Sequence, residues 1–568
     1  MKVLQLDVNK IEFEPIEPEA SSYESAEKKP VVVTDALVML VAVEKGDTEE
    51  HANKAVADSI AFAKKQGVKR LVIYPFAHLS SNLESPKEAL AMLDLMRTVA
   101  AEEKGIEVFS APFGWNKRLS LMIKGHPLAE QSRNYGESAG AAQNNRPKAH
   151  RKVDLSIVKK SDWSGLPDTD HRTIGEKMDL YSFQEVSPGM VYWHNKGYIV
   201  YKELVRFVRG KEEEYDYEEI STPQVANLAL WHVSGHIEKY KENMFVFDSG
   251  SGEELGLRAM GCPSAIMVYK ARSRSYRDLP LRFAEFDTLF RNEISGALTG
   301  LLRVRQLTQD DAHIFLAEDQ IEEEISVLLR MAKEVYEVFG MKYELYLSTM
   351  PDQHIGDEEL WRKAEAKLKS ALDKNGMKYG IKDKDGAFYG PKIDGDVLDA
   401  MGRRWQCLTI QLDYQQPIRF KLTYANDKGE QSTPVIVHRT LIGSFERFIG
   451  VLVEHYQGKF PTWLAPTQVR IVSISEAVND YASKVHKELK GAGIRADLDI
   501  SDKTLEYKIR DAKLQQVPYT IVLGKKEQEA GTISVRNRDG KQTNAIAIAD
   551  FIGKVRNEAE ERSQALSY

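Results

Sequence analysis

Two arginines and a carboxylate are the first chemical handle on this 568-residue chain. In LRFAEFDTLFRNEISGALTGLLRVRQLTQDDAHIF, Arg291 and Glu293 stand at alternate positions, on one face of a strand if that segment is extended. In VIVHRTLIGSFERFIGVLVEHY, a β-type stretch runs into Gly443 and then into a helix carrying Glu446 and Arg447. A third segment, EEISTPQVANLALWHVSGHIEKYKENMF, shows a helical apolar face after Pro223. Buried arginines arriving from a strand and a helix suit a bent polyphosphate, because guanidinium is permanently charged and grips phosphate oxygens in pairs. Any one of them alone reads more simply as a solvated charge or a salt bridge. Cys262, His313 and His438 are far apart, without local metal-ligand spacing. On spacing alone they read as a small buried hydrophobe and two satisfied core histidines.

Such residues need a scaffold, and the length supports about three or four domains. With 42% hydrophobic and 29% charged residues, the composition excludes the disordered and fibrous classes. Net charge is −7, yet the last 104 residues carry +2 and the rest −9, so the C-terminal part is the least hostile to a polyanion. Two cysteines are too few for a disulfide framework and fit a reducing cytoplasm. The longest apolar run, Ala36 to Val43, is far short of the roughly 18 residues of a membrane span. Asp7 and Glu12 stand where a secretory signal needs an apolar centre, so a cytoplasmic location is expected.

From Val31 to about Arg133, apolar runs alternate with amphipathic stretches at Glu49 to Lys65 and Lys87 to Glu103, which is α/β patterning. NYGESAGAAQNNRPKAH, from Asn134 to His150, has turn-forming composition without periodicity and reads as a domain tail and linker. PTWLAP, with prolines around Trp463, marks a second boundary. Beyond it the order is strand, helix, strand, helix, strand, strand, helix. The expected domains are residues 1–135, a linker over 136–169, a central domain over 170–462 and a last domain over 463–568.

FRNE, RVRQLTQDDAHIF, FYGPKID, WQCLTIQLD and HRTLIGSFERFIG, in that order, resemble the class II aminoacyl-tRNA synthetases, and among them the threonyl enzymes. The segments beginning EEIS, LRFA and VIVH are similar to their motifs 1, 2 and 3 in that order. The resemblance implies a multidomain α/β and α+β chain: a deacylase-like editing domain, an antiparallel-sheet catalytic core dimerising through motif 1, and an α/β anticodon-binding domain. It implies ATP with Mg²⁺, L-threonine and tRNA(Thr) as partners, and no membrane. Arg291, Glu293, Arg303, Gln406, Gln411 and Arg447 would line the ATP and adenylate site. Lys392 would stand near the reacting groups, and Gln309, Asp311 and Tyr389 near threonine. Cys262, His313 and His438 match the family's zinc ligands, an open three-ligand set of the kind that binds substrate. Cys407 matches no ligand and reads as core.

The zinc that the resemblance implies would have a physical purpose. An apolar pocket separates threonine from valine poorly, whereas a site that demands the hydroxyl rejects the analogue by roughly 10⁴ to 10⁵. Serine keeps the hydroxyl, so a second, hydrolytic sieve is expected. YPFAHLSS, APFGW and KGHPLAEQSR resemble the archaeal-type threonyl editing domain, similar to D-aminoacyl-tRNA deacylases, with His78, Lys117 and Glu130 at site positions. Asp7, Asn9 and Asn116 depart from that pattern. In the last domain, Glu529 and Arg538 fall at anticodon-reading positions, with Lys525 and Lys526 as phosphate contacts or a solvated pair. The alternatives are a charging-only enzyme with a decayed editing domain and a non-catalytic synthetase-like RNA-binding regulator.

Overall fold

The computed structural model describes residues 1–19, 22–80, 82–124, 129–135, 163, 165–399 and 402–568. Most of the expected linker over 136–169 therefore lies outside the described residues. Two compact units divide at Arg151 and Lys152, and the chain has the multidomain α/β organisation expected.

The first unit is built on an unusually long strand, Lys2–Pro18, which pairs antiparallel with Val31–Ala42 from Lys2 to Phe13. Its other edge is shared by Trp115–Ile123 and Glu130–Asn134. Arg70–Pro75 and Glu107–Ser110 extend the sheet in parallel beyond Val31–Ala42. The run Ala36–Val43 is apolar throughout because its strand is covered on both sides: Leu37, Met39 and Val41 pack with helices Glu49–Gln66 and Pro86–Ala101, while Val38 and Leu40 belong to a cluster on the opposite face.

In the second unit, eight strands form a sheet in the order Tyr379–Lys382, Tyr343–Ser348, Lys392–Leu398, Arg404–Asp413, Val435–Thr440, Asp311–Leu316, Leu281–Glu285, Glu218–Glu219. The six inner strands are antiparallel to one another, as expected of the core. Helix Ile321–Phe339 covers it with Ile321, Ile325, Leu328, Leu329, Ala332, Val335, Tyr336 and Phe339, the 3.6-residue repeat of an apolar stripe. Three glutamates in its first turn favour the positive end of the helix dipole, and Gly340, at φ 64°, ends it in the left-handed conformation. Leu328 is fully buried, so truncating it to alanine would cost about 2 to 5 kcal/mol.

The last domain is a five-stranded sheet, Ala496–Asp499, Val469–Ser473, Tyr519–Leu523, Thr532–Asn537, Gln542–Ala547. Its first three strands are parallel and the rest antiparallel. The PTWLAP segment is a packed junction: Arg495 donates to the Ala465 and Trp463 carbonyls at 3.0 and 2.7 Å and pairs with Glu203 of the preceding domain at 3.2 Å.

Candidate active site and metal centre

The arginine-rich half of the site begins where strand Thr288–Phe290 stops. Arg291 donates its backbone N–H to the Arg305 carbonyl at 2.8 Å, and Glu293 turns back onto the Arg291 carbonyl at 2.8 Å. A tight turn replaces the extended strand here, yet both side chains line the same cavity. Arg303 returns to Glu293, with Nε and Nη2 at 2.9 and 2.8 Å from Oε2. Opposite, Gly443 (φ 76°) bends the chain between strand Val435–Thr440 and helix Phe445–Tyr456, where a Cβ would approach the Cys407 carbonyl to 3.1 Å. Ser444 caps that helix by accepting from the Arg447 N–H at 3.1 Å. Arg447 spends Nε on the Leu302 carbonyl and Nη1 on the Gln406 carbonyl, both at 3.0 Å.

Arg291, Glu293, Arg303, Gln309, Gln406 and Arg447 line a cavity of about 230 Å³. Three guanidiniums face one carboxylate there. Burial, and then the charges of Arg291 and Arg303, work against the proton on Arg447. An anion of several charges relieves that strain.

A second cavity, of about 160 Å³, shares Arg291, Gln309, Thr409 and Thr440 with the first. Sheet register makes its centre: His313 and His438 are direct partners on strands Asp311–Leu316 and Val435–Thr440, their rings 5.1 Å apart and nearly perpendicular. Cys262 opens helix Cys262–Lys270, and ligand atoms of the three residues lie within 4.8 Å of one another.

This donor set fits a zinc ion. His313 Nδ1 is buried without a hydrogen-bond partner, and His438 gives Nε2 to Asp413 at 3.0 Å, which leaves Nδ1 as its donor. Burial pushes the Cys262 thiol well up and the His313 imidazole well down, so the pocket holds neutral forms until a cation favours the thiolate. Gly261 keeps the space open, since a Cβ there would lie 2.6 Å from Asp311 Oδ2. Asp311, Tyr389 and Gln411 line the same cavity, the Tyr389 ring 5.2 Å from that of His438. Burial raises the Asp311 carboxyl.

Lys392 and Cys407 are placed differently from the rest. Lys392 lines neither cavity and pairs with Asp394, whose other oxygen holds Gln406. Cys407 is 2% exposed and borders the arginine cavity. His236, not singled out in the sequence, is buried beside Tyr389 with its ring 6.3 Å away, and burial followed by His438 lowers it to about 3. Its only signal was a lone histidine after Gly235 in SGHIEKY.

In the first unit, a cavity of about 400 Å³ brings His78 and Lys117 together with Glu19, Tyr74 and Asn116. Lys117 Nζ donates to the Pro112 and Trp115 carbonyls, both at 2.9 Å, and lies 5.1 Å over the Tyr74 ring. Burial lowers it to about 8, against the opposing pull of Glu24 and Glu19. Glu130 is not among the lining residues: it is exposed where its strand pairs with Leu6. Asp7 is buried and ion-paired with Lys124 at 2.9 Å, and Asn9 occupies the bulge between Val8 and Lys10. In the last domain Glu529, Lys525 and Lys526 are exposed, whereas Arg538 is drawn into the junction, Nη1 at 2.5 Å from the Phe460 carbonyl. Arg536, on the same strand segment, is exposed instead.

Residues 245–456 match the model of the tRNA synthetase class II core domain (G, H, P, S and T). Residues 1–135 match the Archaea-specific editing domain of threonyl-tRNA synthetase, and residues 468–558 an anticodon binding domain. A threonine–tRNA ligase of Clostridium botulinum (strain Langeland) is 47% identical over 69% of this chain, which spans 62% of that relative's length. The threonine–tRNA ligase catalytic subunit of Sulfurisphaera tokodaii is 47% identical over 69% of this chain and 73% of its own. A solved structure described as the RNA binding domain of threonyl-tRNA synthetase from Cryptosporidium parvum Iowa II superposes with a TM-score of 0.67 at 43% identity, covering 68% of this chain and 98% of that one.

Proposed function

The chain belongs to the threonyl-tRNA synthetase family, and on that premise we propose that it activates L-threonine with ATP, transfers it to tRNA(Thr), and hydrolyses misattached serine. The observation that carries this reading is the pair of joined cavities, one ringed by guanidiniums and the other by a thiol and two imidazoles.

In the first step a threonine carboxylate oxygen attacks the α-phosphorus of ATP and pyrophosphate leaves. In the second, a ribose hydroxyl of the tRNA attacks the adenylate carbonyl, loses its proton and expels AMP. Arg291 holds the α-phosphate and the carboxylate, Arg303 and Arg447 offset the outer phosphates, and Glu293 orients adenine, with Mg²⁺ on the polyphosphate. Gln406 and Gln411 line the nucleotide and adenylate. This is positioning and charge stabilisation, with no covalent chemistry by the protein. Cys262, His313 and His438 would hold a zinc ion, which would supply a Lewis acid for the amino group and for the side-chain hydroxyl that valine lacks. Asp311 accepts the hydroxyl's hydrogen bond, while Gln309 and Tyr389 wall the pocket. Lys392 acts on the reacting groups only if it is released from Asp394.

Residues 1–135 form the editing domain, in which the Lys117 ammonium polarises water or steadies the charge of the seryl-ester transition state, with His78 beside it. Residues 136–169 are the linker, 170–462 the catalytic domain and 463–568 the anticodon-binding domain, where Glu529 is free to meet a base and Arg538 must first leave the Phe460 carbonyl. The enzyme works in the cytoplasm as a homodimer through the motif 1 segment. No described helix is long and apolar enough to cross a membrane.

Amino-acid-dependent ATP/pyrophosphate exchange tests the reading. Threonine drives exchange, serine does so within roughly 10- to 200-fold, and valine falls behind by roughly 10⁴-fold or more. Equal exchange with valine and threonine refutes it.

A further inference from the structure

Asp170, His171 and Glu454 form a second buried group whose potential ligand atoms converge within 4.8 Å. Their donors are already committed, so the group is a hydrogen-bond relay and not a metal site. Asp170 is held by Arg172 through two bonds of 2.9 Å. Glu454 Oε1 accepts from the His171 backbone N–H at 3.2 Å and stands 2.8 Å from Nδ1, while Oε2 pairs with Arg403. His171 Nε2 lies 3.1 Å from the backbone nitrogen of Leu301. An amide N–H can only donate, so Nε2 is the bare nitrogen and Nδ1 carries the proton, the tautomer that Glu454 stabilises.

The relay joins the three segments that build the arginine cavity. Leu301 lies in the loop between Arg291 and Arg303, and its neighbour Leu302 offers the carbonyl that holds Arg447 Nε at 3.0 Å. Glu454 is two turns beyond Arg447 on helix Phe445–Tyr456. Arg403 immediately precedes strand Arg404–Asp413, which carries Gln406. The loop is shaped to meet the imidazole: Gly300 has φ +51°, and a Cβ there would run into His171 Nε2. His171 itself is fully buried and lines neither cavity.

We propose that His171 is a positioning residue for nucleotide binding: its bare Nε2 anchors the Leu301 backbone and thereby sets where Arg303 and Arg447 meet the phosphates. The inference deepens the function proposed above and rests on it for the identity of the ligand, ATP.

Asparagine and glutamine separate the two ring nitrogens. His171→Asn places an amide nitrogen near Nδ1 and nothing at Nε2, whereas His171→Gln carries an acceptor to the Nε2 position and gives up the Glu454 contact. By calorimetry on the full chain, His171→Asn weakens ATP binding about 5- to 10-fold, the size of one lost buried hydrogen bond, while His171→Gln stays within about 3-fold. Threonine affinity is unchanged in both. Gly300→Ala resembles His171→Asn, and the double variant is no worse than either alone, because both remove one contact. Hydrogen exchange at the Leu301 amide needs no nucleotide: it accelerates in His171→Asn and stays slow in His171→Gln. Equal exchange in the two variants, equal ATP losses, or a parallel loss of threonine affinity overturns the relay. A wild type that fails to bind ATP overturns the functional reading alone, and the exchange comparison then still decides the relay.

Discussion

His313 and His438 face each other across neighbouring strands of an eight-stranded sheet, whereas Lys117 and His78 reach their cavity from a strand at the end of the sheet path and a three-residue turn. In the first case strand register sets the spacing of the donors, and Asp413 and Gln416 stand behind His438 and Cys262. In the second, two backbone carbonyls are the hydrogen-bond partners of the working nitrogen. The difference fits the tasks proposed for the two regions. Coordinating a hydroxyl rejects valine only if every donor is fixed to a fraction of an ångström. Hydrolysing an ester already attached to RNA needs a polarised water and room for a small side chain.

If that contrast holds, damage to one region spares the other, and the sizes differ. Cys262→Ala acts on specificity: the preference for threonine over valine in pyrophosphate exchange drops from roughly 10⁴ towards the roughly 10² of an apolar pocket, with loss of zinc by elemental analysis. Seryl-tRNA hydrolysis by the same variant is unaltered. Arg447→Ala slows exchange roughly 10²- to 10³-fold, the range for removing one preorganised donor from a developing charge, again without touching hydrolysis. Lys117→Met inverts the pattern, lowering seryl-tRNA hydrolysis about 10²-fold with charging intact.

The same lysine predicts a pH profile. Its proton is lost near pH 8, so if the ammonium is the working form, the advantage of wild type over Lys117→Met shrinks as pH rises through about 8. An advantage that grows there would make the neutral amine the base. The smallest effect belongs to Asp413→Asn, which turns a carboxylate behind His438 into an amide and weakens zinc binding about 10-fold in a chelator competition. No loss would mean that the carboxylate does not tune the ligand.

Local signals were legible where one element makes the feature. The apolar run Ala36–Val43, the turn at Gly443 and the helix bearing Arg447 all stand in the structure where periodicity put them. The strand Lys2–Pro18 was passed over although Leu4, Leu6 and Val8, then Ile11 and Phe13, alternate along it; the bulge at Asn9 shifts the phase and breaks the period-2 pattern. The metal centre had no local signal at all, because His313 and His438 become neighbours only through the pairing of distant strands. Glu130 gave no local signal either: its strand pairs it with Leu6, and it is exposed and does not line the lysine cavity. Arg538, expected to read a base, donates to a carbonyl of the neighbouring domain, a contact that no local pattern announces.

X-ray absorption at the zinc edge of the purified full chain, with and without amino acid, addresses the hydroxyl test most directly. The account predicts one sulfur at about 2.3 Å and two nitrogens at about 2.0 to 2.1 Å, with threonine adding a hydroxyl oxygen to the light-atom shell that valine does not add. An active, metal-free preparation, or a shell that answers both amino acids alike, contradicts it.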